Sequence, residues 1–281
     1  NNLRATVPNP VTGKFTLAYL PESTNYTVVV AGQDLTTAAI TNVPVSLATG
    51  VTALNTAQTA ILPAASAMAS LDATQIAAIS GATLGALTVS QFNALMGTGT
   101  DRVAVLTAAQ VDGLTPAQVS ALGARVANLS AAALGSLDAG QVAGATLNAL
   151  NATQLGALTT EQLTSVTPAQ AVSLTAAQLQ ALGTDVSGLP ATAVAAVNLS
   201  SMTAAQLTAL SAPQLTGVTI NQVSALTGAQ LTALGTDVSG LSSTAVGGLS
   251  ATQVDALSAA QVGALGANLS ALSSAAMASL D

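Results

Sequence analysis

Large apolar residues recur along residues 64–281 at intervals that alternate between three and five. In 107–114 they are Val111 and Leu114, and in 115–122 they are Val119 and Leu122. Four such units run unbroken from 151 to 182, four more from 203 to 234, and two others fill 250–265. The shared line is Ser/Thr/Asp/Asn-x-x-Gln-Leu/Val-x-Ala-Leu, eight residues long. A continuous amphipathic helix would space its apolar positions by three and four, and a half-buried strand by two. Alternation of three with five fits neither. It predicts short helices separated by sharp turns.

Each octad carries its own start signal. The Ser, Thr or Asp is placed to accept from backbone N–H groups of the first turn. A Gln three residues later completes a capping box by reaching back to the cap's own N–H. Helices are therefore expected to start at or next to Thr107, Thr115, Thr159, Thr167, Thr175, Thr203, Thr219 and Thr227. Pro116 and Pro168 follow their caps directly, where a missing N–H is harmless. The paired apolar positions share one helical face, so Leu155, Leu158, Leu163, Val166, Leu179, Leu182, Leu207, Leu210, Leu231 and Leu234 should be buried. The residue between the Gln-Leu/Val pair and the Ala should be exposed.

A seven-residue variant punctuates the array at 123–129, 183–189, 235–241 and 266–272, each followed by an octad without the Gln. Gly183 and Gly235 open two of these, where a left-handed helix C-cap would suit glycine. Residues 146–197 and 198–249 align without a gap, an offset of 52. A helix of one octad is far shorter than the ~12–15 residues that hold in water. Each unit must then stack on its neighbours, and the array reads as a solenoid of short stacked helices, mainly α. A β-solenoid is the alternative, since the Thr, Val and Gly of the variant units tolerate strands. Bacterial surface proteins with tandem L-T-x-x-Q-[IVL]-x-A-L tracts are what residues 64–281 resemble, and that resemblance implies a cell-surface repeat protein without assigned chemistry.

Composition removes most chemistry. The chain of 281 residues has no His, Cys or Trp, and only 5% of residues are charged. No imidazole base, thiolate or ordinary zinc, haem or iron–sulfur site is available, so no cofactor is expected. Four cations against eleven acids, a net charge of −7, exclude tracking of a phosphate backbone and nucleic acid as a partner. No apolar run nears the roughly 20 residues that span a bilayer. Carboxylates stand singly along the chain, so no enzyme is expected.

The first fifty residues differ in character. The runs 14–19 and 25–30 are β-branched and aromatic and flank Pro21-Glu22-Ser23-Thr24, a strand–turn–strand pattern. The line Gly13-Lys14-Phe15-Thr16-Leu17, Leu20-Pro21 and Tyr26-Thr27-Val28-Val29-Val30 resembles the last hairpin of carboxypeptidase-regulatory-like (prealbumin-like) β-sandwich domains, which occur on secreted and cell-surface bacterial proteins. The expected organisation is a β segment at 1–54, a linker at 55–63 and the octad solenoid at 64–281. The β segment is too short to cover its own apolar residues. Phe15, Leu17, Tyr26, Val28 and Val30 are therefore expected at an interface between copies.

Few residues are candidates for a site. Asp185 and Asp237 hold the same place in successive long repeats and suggest a repeated cation site, against the simpler reading of turn caps. Calcium wants six to eight oxygens, and no other carboxylates cluster nearby. Asn25, Asn128, Asn151, Asn198 and Asn268 begin Asn-x-Ser/Thr sequons, which chance supplies in so Ser- and Thr-rich a chain. Lys14 reads as an edge charge rather than half of a Ser–Lys pair. Asp101-Arg102 and Arg125 read as a local ion pair or solvated turn.

The functional expectation is structural: an extracellular or cell-surface protein whose nearly uncharged repeats associate with copies of themselves in a filament, sheath or layer. The alternative is an adhesin stalk or a binding module for a polysaccharide, a protein or ice. Saccharide sites favour aromatic platforms, and Phe92 is the sole aromatic residue of the array. Asp281 stands where Asp72 and Asp138 stand, as the cap of another octad. Leu280 and the end of the seam are expected to be covered, by more chain or by the β segment of another copy.

Overall fold

In the computed structural model, residues 71–280 are described. They form a succession of short helices, and no strand occurs among them. The β-solenoid alternative is thereby overturned for this region. The reading of 1–54 as a β segment, with its interface residues Phe15, Leu17, Tyr26, Val28 and Val30, lies outside the described residues, as do the 55–63 linker and Asp281.

The helices begin where the capping boxes place them. Thr107, Thr115, Thr159, Thr167, Thr175, Thr203, Thr219 and Thr227 are all N-caps, and at each the side chain accepts from the backbone N–H of the Gln three residues on. The same Gln accepts from the cap's own N–H, at 2.8 Å for Thr115 and Gln118. Asp72 and Asp138 cap in the same way. Pro116 and Pro168 occupy the first helical turn. Where an octad closes at Leu174 or Leu210, that Leu turns extended, with ψ of 134° and 141°. The chain there makes a corner, and the next cap starts at once.

Three units complete one turn of the solenoid. Unit 159–166 carries 183–189, which carries 203–210, then 227–234, 250–257 and 273–280. A second side stacks 167–174, 190–197, 211–218, 235–241 and 258–265. The third stacks 151–158, 175–182, 198–202, 219–226, 242–249 and 266–272. The apolar residues of all three sides meet in one core running along the axis. Every one of the ten expected core residues, from Leu155 to Leu234, is at most 3% exposed. The position before the Ala is exposed, as at Thr164, Gln180, Thr208 and Thr232. Unit 167–174 shows what a shifted pattern does. Ala171 takes the inner place, and Val172, one position later, is 68% exposed.

Two features were not anticipated. The seven-residue variants are 3₁₀ helices, Gly123–Asn128, Gly183–Gly188, Gly235–Gly240 and Gly266–Ala271. Shorter five-residue units at 146–150 and 198–202 also contain 3₁₀ turns, Leu147–Ala149 and Leu199–Ser201. The opening glycines have positive φ, 55° at Gly183 and 56° at Gly235. At the equivalent Gly123 and Gly266 ψ is −135° and −129°, so these two sit in an extended region that only glycine occupies, not in a left-handed helical cap.

Candidate functional site

The polar chemistry of the array lies in the seam between turns. The capping Gln has two ends, and its Oε1 serves the local helix as described. Its Nε2 points inward and donates to carbonyls one turn below. Gln118 reaches Leu84 and Leu87 at 2.7 and 2.9 Å, and Gln162 reaches Leu134 and Leu137 at 3.1 and 2.7 Å. Gln170, Gln222 and Gln253 repeat the arrangement on the carbonyl pairs Val142/Ala145, Val194/Val197 and Val223/Leu226. Each pair lies at a corner, where the second carbonyl is past the helix. The first of each pair except Val194 also accepts a backbone N–H from three residues on. Gln110, Gln118, Gln141, Gln206 and Gln261 are buried to 2% exposure or less, which fully satisfied amides tolerate. No buried side-chain nitrogen or oxygen among the described residues lacks a partner. The signal for this role was present in the sequence. A capping box accepts Glu as readily as Gln, yet every box here has Gln, the one of the pair with N–H groups to give.

The variants do the same work with their third residue. Asp237 Oδ1 accepts from the Ala212 N–H at 2.8 Å, and Asp185 Oδ1 accepts from the Thr160 N–H at 3.1 Å and from the Thr160 hydroxyl. Thr160 and Ala212 are the first residues of helices Thr160–Leu163 and Ala212–Leu215, on the turn below. Both aspartates are therefore caps, but of the neighbouring turn rather than their own. Asn268 Nδ2 donates to the Leu241 carbonyl at 3.0 Å. Arg125 occupies the same third place. Its guanidinium donates to the Ala121 and Leu122 carbonyls at 3.0 and 3.1 Å and to the Gly97 carbonyl of the turn below. This replaces the expected ion pair or solvated turn at Arg125 with a staple of carbonyls. Arg102 likewise donates to the Leu95 carbonyl at 2.7 Å.

The two candidate aspartates do not line up along the solenoid. No group of three or more His, Cys, Asp or Glu residues capable of holding a metal occurs among the described residues. Moreover, the 52-residue repeat holds seven units while a turn holds three, so successive repeats are rotated by one third of a turn. Asp185 and Asp237 consequently lie on different sides of the solenoid, in the columns of 159–166 and 167–174 respectively. They form no row.

The remaining candidates are absorbed in the same way. Asn128 and Asn268 have their amide nitrogens tied to the Arg125 and Leu241 carbonyls. Asn151 is an N-cap and Asn198 accepts from Ser200. Phe92 is fully buried and offers no aromatic platform. Leu280 is half-buried at the end of the seam. Lys14 and Asn25 lie outside the described residues. Among those residues no helix is long and apolar enough to cross a membrane.

Comparison with known proteins adds one finding. A family described as the ALTTAQ repeat matches residues 236–267, from within one 3₁₀ unit through the two octads 250–265. No curated protein matches the chain. The chain is a repeat protein, and the matched stretch is similar to that family.

Proposed function

We propose that the protein is structural: an extracellular or cell-surface solenoid of bacterial type that associates with copies of itself to build a filament, sheath or layer, and that it performs no catalysis. The observation that carries this reading is the mismatch of seven units per long repeat with three units per turn. A residue fixed in the 52-residue repeat falls on different sides in its two copies, as Asp185 and Asp237 do, so the long repeat does not stack its distinctive groups on one binding face.

Two further observations support it. The capping glutamines and third-position residues are engaged in the seam. The outer surface is left with Ala, Ser, Thr and Gly and few charges. Soluble domains ordinarily carry about 25–35% charged residues on the surface, and charge of that kind keeps molecules apart. Light scattering and electron microscopy of the purified 281-residue chain test the reading. Ordered assemblies are expected, and a monodisperse monomer at high concentration would refute it.

A further inference from the structure

The four described sequons fall into two classes once their amides are located. At Asn128 and Asn268 the Nδ2 is engaged, donating to the Arg125 carbonyl at 3.1 Å and to the Leu241 carbonyl at 3.0 Å, and both residues are half-buried. At Asn151 and Asn198 only the oxygen is engaged. Asn151 Oδ1 accepts from the Gln154 N–H at 2.9 Å, and Asn198 Oδ1 accepts from the Ser200 N–H and hydroxyl at 3.2 and 2.7 Å. Both residues are exposed, and neither Nδ2 donates to any described residue.

Attachment of a saccharide replaces one N–H of an asparagine carboxamide and leaves its oxygen in place. At Asn151 it would spare the bond that caps helix Ala152–Leu155, and at Asn198 the one that holds the turn Leu199–Ser201. At Asn128 and Asn268 it would set a bulky group beside the carbonyl that the nitrogen serves. The two free amides also share a side. Units 151–158, 175–182 and 198–202 stack directly, so Asn151 and Asn198 stand two turns apart, each at the start of its unit. The six units of this third side between 151 and 272 carry no Asp, Glu, Lys or Arg. Glu161, Asp185 and Asp255 lie on the first side and Asp237 on the second.

We propose that Asn151 and Asn198 are acceptor sites for N-linked saccharide, which coats the uncharged third side of the solenoid. The donor is a sugar activated at its anomeric carbon as a nucleoside diphosphate. Nδ2 bonds to that carbon and the carbon–oxygen bond to the diphosphate breaks. The diphosphate leaves with the electron pair, and the Nδ2 proton passes to a base of the transferase. The hydroxyl that the sequon requires is in place at Asn198, where Ser200 donates to the carboxamide oxygen. The inference does not depend on self-association.

The folded 281-residue chain, incubated with a soluble Asn-x-Ser/Thr glucosyltransferase and its nucleoside-diphosphate glucose and then mapped by peptide mass spectrometry, tests it. Hexose is expected on Asn151 and Asn198 at a rate about tenfold or more above Asn128 and Asn268, whose nitrogens must first leave a hydrogen bond. Ser200→Ala should abolish the modification at Asn198 and leave Asn151 unchanged. Circular dichroism and the melting temperature should not change on modification, because the cap oxygens stay bonded. Absence of hexose from either exposed asparagine, equal modification of all four, or a fall in melting temperature would overturn the assignment. The chain isolated from the cells that make it should carry saccharide at the same two positions, and a bare chain there would overturn it as well.

Discussion

The octads and the seven-residue variants solve one problem by different means. Both must link a turn to the turn beneath while starting or ending a helix of barely one turn. The octad assigns both tasks to one side chain, a Gln whose oxygen caps its own helix and whose nitrogen serves the corner below. The variant drops the local cap, tightens to 3₁₀ and keeps the link, which Arg125, Asp185, Asp237 and Asn268 make with three different chemistries, Arg125 also holding carbonyls of its own turn. The comparison teaches that position is the constraint. Where one residue has two partners of opposite polarity only an amide fits, and where it has one, any group of suitable reach and charge does.

The sharpest way to break that comparison is to remove the second task from an octad while keeping the first. Gln118→Glu retains the oxygen that accepts from Thr115 but faces the Leu84 and Leu87 carbonyls with a buried carboxylate. Breaking a buried interaction so as to leave an uncompensated charge costs about 3–5 kcal/mol, and thermal or urea unfolding at pH 7 should show a loss of that order. Burial among carbonyls favours the neutral acid, so the folded-state pKa of this Glu is raised above its unfolded value. The variant should therefore lose stability as pH rises above the unfolded value of about 4.3, and recover toward wild type below it. A loss independent of pH would mean that the amide nitrogen has no part in the link.

Glycines separate the two demands within a variant. A Cβ at Gly240 would stand 1.9 Å from the Ala212 carbonyl oxygen, on the residue whose N–H Asp237 caps. Gly240→Ala must push the turns apart, and unfolding should register about 2–3 kcal/mol of destabilisation. Gly235 has nothing within 4 Å of its missing Cβ but a φ of 56°. Gly235→Ala should cost about 1–2 kcal/mol from backbone strain alone. Equal costs at the two positions would deny that close approach, rather than conformation, sets the spacing of turns.

At the third position the effects are smaller. Asp237→Ala removes a cap from Ala212 and should cost about 1 kcal/mol, while Asp237→Asn keeps an acceptor oxygen and should lie within about 0.5 kcal/mol of wild type. Unfolding in the presence and absence of calcium completes the experiment, because a cap predicts no difference and a cation site predicts stabilisation by the ion.

Much of this architecture is legible in the sequence because it is local. The cap, the Gln three residues on and the two apolar positions lie within one octad, and they place the helix starts and the core residues. The number of units per turn is not local. It depends on how Leu174 or Leu210 turns its corner, and a run of eight residues does not state that angle. That Asp185 and Asp237 lie on different sides is hidden for the same reason. Equal spacing along the chain implies equal placement only if the long repeat holds a whole number of turns, and seven units over three does not. The five-residue units at 146–150 and 198–202 were hidden inside the 52-residue alignment, since both copies of the repeat contain one.

The three-unit turn is the claim on which the seam and the rotated repeat both rest. It can be tested by a disulfide, because the chain has no cysteine of its own. Residues 195 and 217 lie one turn apart on the same side, and a Cβ at Gly217 would stand 3.1 Å from that of Ala195. Cβ atoms about 3.5–4.5 Å apart suit a disulfide, so a shift of a few tenths of an ångström suffices. The double variant Ala195→Cys, Gly217→Cys should form an intramolecular disulfide nearly quantitatively on mild oxidation, with native circular dichroism. Free thiols persisting in the folded protein would contradict the three-unit turn.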